Sequence, residues 1–288
     1  MIIDAHAHLW KKQNGIVNGK PVYNIGGGKS DFGGETRQMM PPYMTDGENT
    51  AERFLANMDY AGVSGAVITQ EYIDGKQDEY LLSCKSDRIK ICALYEEKEM
   101  GDISSFDGIK ICAGRLADKN LLNHLEPFRI ANNNGKFISI DLADGDEQTE
   151  MMDKIAEMFP DLRIAIGHFG MVTRENWQSQ IKLAKHKNVF IESGGITWLF
   201  NEEFYPYPSA VKAINEAADL VGFNKLMWGS DYPRTMTAIT YKMSLDFIEK
   251  STEISEENKN LFLGENARKF YGFTDIPTPE KVKNMVED

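Results

Sequence analysis

Eight apolar runs of strand length, separated by amphipathic helical windows, predict an α/β fold for this 288-residue chain, a (β/α)8 TIM barrel. Two further observations point the same way. The runs are nearly continuous in apolar residues, the pattern of a parallel sheet buried on both faces. The length is usual for one such barrel with insertions, so one domain over residues 1–288 is the economical count. With 42% apolar and 26% charged residues the composition is that of a globular protein with a large core. No apolar run reaches membrane-spanning length, so no membrane partner is expected. A formal charge of -12 with no cluster of Lys and Arg sets nucleic acid aside. The partner left is a small-molecule substrate, and a homo-oligomer is compatible with the sequence. Cys84, Cys92 and Cys112 are odd in number, form no CxxC pair and stand in or beside apolar runs. Reduced thiols follow, and with no export signal before the first strand, a cytoplasmic location is expected.

The first strand begins at Ile2. In extended chain Asp4, His6 and His8 share one face, and the two histidines are anchored roughly 6.6 Å apart at a rise of about 3.3 Å per residue. Residues 11–49 read as a polar, Gly-rich loop (Gly26, Gly27, Gly28, Gly33, Gly34, with Pro21, Pro41 and Pro42). Its length and its place directly after the HxH strand make it a lid-like insertion. Thr50 caps a helix over 51–61 that Gly62 ends. Strand 65–69, helix 77–86 and strand 89–94 follow. A short connection with room for at most an abbreviated helix leads to strand 108–112. Residues 118–132 are helical, and Pro127 is expected to split them by opening a second short helix. Strand 136–141, helix 147–159, strand 163–167, helix 174–185 and strand 188–192 come next. An aromatic loop (Trp198, Phe200, Phe204, Tyr205, Tyr207) precedes helix 209–221, strand 225–228 and helix 237–249. The tail, 253–288, is helical over 253–271 and is expected to cover the outside of the barrel.

Active sites of such barrels lie at the carboxyl ends of the strands. Those ends are polar here: His6 and His8 on the first, Asp141 on the fifth, His168 after the sixth, Glu192 on the seventh, Ser230 and Asp231 after the eighth. Closure sets the eighth strand beside the first, so Asp231 meets His6 and His8. Two imidazoles and a carboxylate suit Zn2+, and equally Mn2+ or Fe2+; three protein ligands with an open position describe a hydrolytic metal site. Asp4, one layer deeper, either accepts a ligand imidazole's second N–H or bonds to backbone. Lys110 either holds a substrate carboxylate or forms a salt bridge. Arg234, on the loop above the site, offers a planar fork to a substrate anion. Trp198 and the aromatic loop offer substrate packing. Glu192 reads as structural or substrate-facing, and His124 and His186 as surface residues.

The segments Ile3-Asp4-Ala5-His6-Ala7-His8, Ile166-Gly167-His168-Phe169-Gly170 and Leu226-Met227-Trp228-Gly229-Ser230-Asp231-Tyr232-Pro233 resemble the amidohydrolase superfamily. Within it they resemble the amidohydrolase 2 group of aminocarboxymuconate-semialdehyde decarboxylase and the sugar-lactone and pyrone-dicarboxylate lactonases. Val67-Ile68-Thr69-Gln70 and Gly108-Ile109-Lys110 are similar to the lactonase branch. The resemblance implies His6, His8 and Asp231 as metal ligands, Asp231 as base toward the attacking water, and His168 as polariser or acid/base at the substrate. Metal-dependent members usually end the fifth strand in a histidine ligand, where this chain has Asp141. That carboxylate either replaces the ligand or marks weaker metal binding, and some lactonases of the group work without metal. The implied function is a metal-dependent hydrolase acting on a small carboxylated or polyhydroxylated substrate, with lactone opening favoured. The alternatives are nonoxidative decarboxylation on the same scaffold and a catalytically inactive barrel that binds a ligand.

Overall fold

The computed structural model describes residues 1–97, 100–280, 282, 283 and 285. Eight parallel strands run in chain order: β1 (Ile3–Ala7), β2 (Gly65–Ile68), β3 (Ile89–Leu94), β4 (Gly108–Cys112), β5 (Phe137–Asp141), β6 (Ile164–Ile166), β7 (Val189–Glu192) and β8 (Leu226–Met227). Backbone hydrogen bonds from Ala5 N to Trp228 O (2.9 Å), Asp231 N to His6 O (2.9 Å) and His8 N to Tyr232 O (2.8 Å) join the last strand to the first. The expected (β/α)8 barrel is therefore the observed one. Strand alternation divides the core. Ile109, Ile111, Ile138, Ile140, Ile164 and Ile166 pack with helix residues such as Phe128, Met152 and Ile155. Between them Lys110, Ser139 and Asp141 turn into the barrel.

The helices follow the expected order; Ala51–Ala61 has the expected bounds and Pro208–Val221 nearly so, while others are shorter. The window at 174–185 holds Gln178–Ile181 and a 3-10 turn, Lys182–Lys185; that at 237–249 holds Met243–Glu249. The stretch 118–132 is split as expected, into a 3-10 turn, Leu121–Asn123, and a helix, Leu125–Asn133, and Pro127 lies in the first turn of the second, where its missing N–H has no partner to lose. Between β3 and β4 no helix occurs among the described residues; Lys98 and Glu99 lie outside them. His124 is buried rather than superficial, bonded through its two ring nitrogens to Tyr95 Oη (2.8 Å) and Asp118 O (2.9 Å). His186 is half-buried against Asp153 at 2.7 Å.

The insertion departs most from expectation. Residues 11–49 are no structureless loop but carry an antiparallel four-stranded sheet: Asn14–Val17, Lys20–Gly26, Lys29–Phe32 and Thr36–Gln38. Asn18-Gly19 and Gly27-Gly28 make the first two turns, each with positive φ at both residues, the geometry that gives a two-residue hairpin the twist of its strands. Trp10 and Asn49 exchange backbone hydrogen bonds at 2.9 Å in both directions, which ties the two roots of the insertion together.

The tail divides. Of its residues, Ile254, Phe262 and Leu263 join the core between strands and helices, as a cover of the outside should, whereas Phe270, Tyr271 and Phe273 pack on strand residues inside the barrel. Tyr271 meets Phe137 edge-on at 4.8 Å between centroids, and Phe270 meets Phe190 at 5.1 Å. Phe137 opens β5, so the tail stoppers the end of the barrel opposite the polar one. Lys281, Asn284 and residues 286–288 lie outside the described part of the tail.

Candidate active site

At the carboxyl ends of β1 and β8, His6 Nε2 stands 3.1 Å from His8 Nε2, and His8 Nε2 stands 3.0 Å from Asp231 Oδ1. His6 Nε2 lies 3.9 Å from the same carboxylate oxygen. All three side chains are buried. Each ring's other nitrogen has an acceptor. His6 Nδ1 faces Glu192 Oε1 at 2.7 Å and His8 Nδ1 faces Thr69 O at 3.2 Å. The Glu192 carboxylate can only accept, so His6 Nδ1 carries a proton and Nε2 is the ring atom left to offer a lone pair; His8 Nδ1 also has the Thr69 hydroxyl at 3.5 Å, and His8 Nε2 lies at hydrogen-bond distance from Asp231. Burial, and then the Arg234 charge, lowers the His8 pKa and opposes a second proton there. Two nitrogens and a carboxylate oxygen thus converge, a donor set that a divalent cation would satisfy in place of the proton on the His8–Asp231 hydrogen bond. The 3.1 Å separation is near the ~3.3 Å that two nitrogens span around one tetrahedral zinc.

The carboxylate that orients His6 is Glu192, which sequence reading had not given that task. Its Oε2 also accepts from Gly194 N at 2.6 Å. Burial opposes its charge, but His6, His168 and Lys110 together outweigh burial and the Glu192 pKa falls below the usual range. As the last inward residue of β7, Glu192 was findable by alternation. Asp4 takes the second of its two expected roles. It accepts from Ser230 N (2.9 Å), Ser230 Oγ (2.5 Å), Tyr241 Oη (2.9 Å) and His6 N (3.1 Å) and reaches no imidazole. Glycines clear this space. A Cβ on Gly167 would lie 2.1 Å from Asp141 Oδ1, and one on Gly229 would lie 2.8 Å from His6 Cβ.

Asp141 faces the same interior and groups with His6 and His168 rather than with His8 and Asp231. Its Oδ2 is ion-paired with Lys110 Nζ at 2.6 Å and stands 3.7 Å from His168 Nε2. Register explains the pairing, since Cys112 lies beside Asp141 and puts inward Lys110 one layer below it. Lys110 is wholly buried, so the salt bridge is realised and the expected reach to a substrate carboxylate is not. Burial opposes the charge on His168, but Asp141, with Asp231 and Glu192, outweighs it and raises the imidazole to about 10. His168 Nδ1 donates to Gly194 O at 2.8 Å. Burial would raise the Asp231 carboxyl, yet the His8 hydrogen bond and Arg234 hold it well below the usual range. Trp198 Nε1 donates to its second oxygen, Oδ2, at 2.8 Å. His168 and Asp231 both sit in left-handed backbone (φ 57 and 55), a conformation costing a non-glycine residue on the order of 1–3 kcal/mol and concentrated at functional sites.

Part of this cluster borders a cavity of about 800 Å3. His168, Trp198, Asp231, Asp141 and Arg234 line one side, and Phe32, Arg37 and Gln38 of the inserted sheet line another. Arg234 meets carboxylates before any substrate. Its Nη2 donates to Asp74 Oδ2 at 2.8 Å and lies 3.7 Å from Glu71 Oε2, and its Nη1 lies 3.7 Å from Asp231 Oδ1. Asp74 and Glu71, on the loop after β2, were not singled out from sequence.

The amidohydrolase family model matches residues 109–273, more than half of the chain. The chain belongs to the amidohydrolase family. Solved structures at low identity share its fold. A probable 2-pyrone-4,6-dicarboxylic acid hydrolase from Acinetobacter baumannii with citric acid bound has 19% identity over 94% of this chain and 99% of that one, with a TM-score of 0.69. An amidohydrolase from Burkholderia multivorans with bound zinc has 15% identity over 95% and 100%, with a TM-score of 0.68. A 5-carboxyvanillate decarboxylase from Novosphingobium aromaticivorans, complexed with manganese and 4-hydroxy-3-methoxy-5-nitrobenzoic acid, has 17% identity over 78% and 81%, with a TM-score of 0.53. No curated protein matches the chain. Among the described residues no helix is long and apolar enough to cross a membrane.

Proposed function

We propose that this amidohydrolase is a metal-dependent hydrolase that opens the lactone of a small carboxylated or polyhydroxylated acid. The observation that carries the reading is the convergence of His6 Nε2, His8 Nε2 and Asp231 Oδ1 beside the cavity that Asp231 and His168 border. His6, His8 and Asp231 would hold one divalent ion, Zn2+ or in its place Mn2+ or Fe2+, with Asp141 nearby. When bound, such an ion supplies Lewis acidity toward water and a substrate carbonyl. Asp231 is then the group to accept the water's proton; as a carboxylate held well below its usual range it is a weak base and needs a water already made acidic. His168, protonated at neutral pH, presents an N–H to the oxygen on which charge develops. Trp198 keeps Asp231 oriented and gives the substrate an aromatic wall. Arg37, Arg115 and Lys119 also line the cavity, which suits a carboxylated substrate. The dicarboxylate hydrolase and the zinc-bound amidohydrolase among the similar structures agree with this reading.

The manganese-bound decarboxylase of the same fold names the rival reaction. A panel of aldonolactones and dicarboxylate lactones, followed by proton release near neutral pH with Zn2+ or Mn2+ added, should yield a substrate whose turnover Asp231→Asn abolishes. Carbon dioxide release from an aromatic or muconate acid, with no lactone opened, would assign decarboxylation instead.

A further inference from the structure

We propose that Asp74 is a positioning residue that holds the Arg234 guanidinium off Asp231 and so keeps Asp231 Oδ1 open to a divalent cation. This rests on the metal reading above. Arg234 has three carboxylates within reach, and its donors are unequally shared. Asp74 Oδ2 takes Nη2 at 2.8 Å, whereas Nη1 stops 3.7 Å short of Asp231 Oδ1 and, although buried, has no hydrogen-bond partner. A shift of about 1 Å would bring that N–H into hydrogen-bonding range of the oxygen that faces His8. A guanidinium and a metal ion would then compete for one carboxylate, and Arg binds carboxylates strongly through its planar fork.

What prevents the shift is the anchoring of Asp74. Its side chain is 4% exposed. Its other oxygen, Oδ1, accepts from Gln13 Nε2 at 3.3 Å, and Gln13 Oε1 accepts in turn from Ser30 Oγ at 2.5 Å. Gln13 and Ser30 belong to the insertion and are buried. Asn14 N also donates to the Asp74 carbonyl at 3.1 Å. Both ends of the Asp74 carboxylate are therefore occupied, one by the inserted sheet and one by Arg234. Its negative charge also offsets a guanidinium that would otherwise repel a cation at Asp231.

Titration calorimetry of Zn2+ and of Mn2+ into metal-free protein tests this without reference to turnover. Asp74→Asn should weaken binding at least about tenfold, within the range seen when a group behind a metal ligand is lost. The double variant Asp74→Asn with Arg234→Gln should recover most of the affinity, because the competing guanidinium is gone. Arg234→Gln alone should bind at least as tightly as wild type. Wild-type affinity in Asp74→Asn would overturn the proposal, as would a double variant as weak as the single one, since Asp74 would then merely hold its loop. If thermal scans show that Asp74→Asn does not fold, Arg234→Gln decides, and weaker binding in it overturns the proposal. Wild-type protein that takes up neither ion removes the metal reading and this inference together. Wild-type uptake with an unchanged Asp74→Asn removes this inference alone.

Discussion

Single side chains at this site depend on what their second atoms touch. His6 and His8 turn Nε2 toward the same point because Glu192 and Thr69 hold the Nδ1 side of each ring. Removing both imidazoles by His6→Ala with His8→Ala should lower bound metal from about one ion per chain to near none, measured by elemental analysis of the purified protein. Equal metal in both proteins would sink the site. His6, His8 and Asp231 were legible in the sequence because strand alternation and barrel closure are general geometry. Glu192 as their support was not legible, because which inward carboxylate meets which ring depends on the stagger of β7 against β1. Asp4 was not legible either: β1 shifts register between Asp4 and Ala7, so the alternation that sets His6 inward does not carry back to Asp4, which bonds Tyr241 instead.

Among the elements, the insertion between β1 and β2 has the most to reveal. Its strands were hidden by glycine content read as looseness, although Asn18-Gly19 between Ile16-Val17 and the segment that follows is a hairpin signal. Of its residues, Val22 and Ser30 are buried while most strand positions lie in contact with solvent, and Phe32, Arg37 and Gln38 border the cavity. The sheet therefore contributes wall rather than core. Replacing residues 18–38 with a short glycine-serine linker should cut turnover of the substrate found above and leave the thermal midpoint within a few degrees of wild type. A large fall in the midpoint would make the sheet a structural part of the barrel.

On the scale of the whole molecule, the seam between β8 and β1 decides whether there is a site at all. Asp4 anchors that seam, binding the Ser230 backbone, the Ser230 hydroxyl and Tyr241 from the far end of the chain. Asp4→Ala would leave these buried donors without an acceptor at roughly 1–3 kcal/mol each. A loss of at least about 3 kcal/mol is expected from guanidinium unfolding, with metal affinity falling as Asp231 loosens. A loss below about 1 kcal/mol would show that the backbone pairs alone hold the seam.

The sequence by itself determined the order of strands and helices, the closure of the barrel and the identity of the residues at its polar end. Each follows from local periodicity and from a chain topology with few alternatives. The tertiary structure alone decided the partners: Lys110 on Asp141, Glu192 on His6, Asp4 on Ser230, Asp74 on Arg234, and the tail's aromatics inside the end of the barrel opposite the site. Those pairings join residues far apart in the chain across distances of a few ångströms. Shear, side-chain rotamer and desolvation set them together, and a one-dimensional pattern carries none of the three.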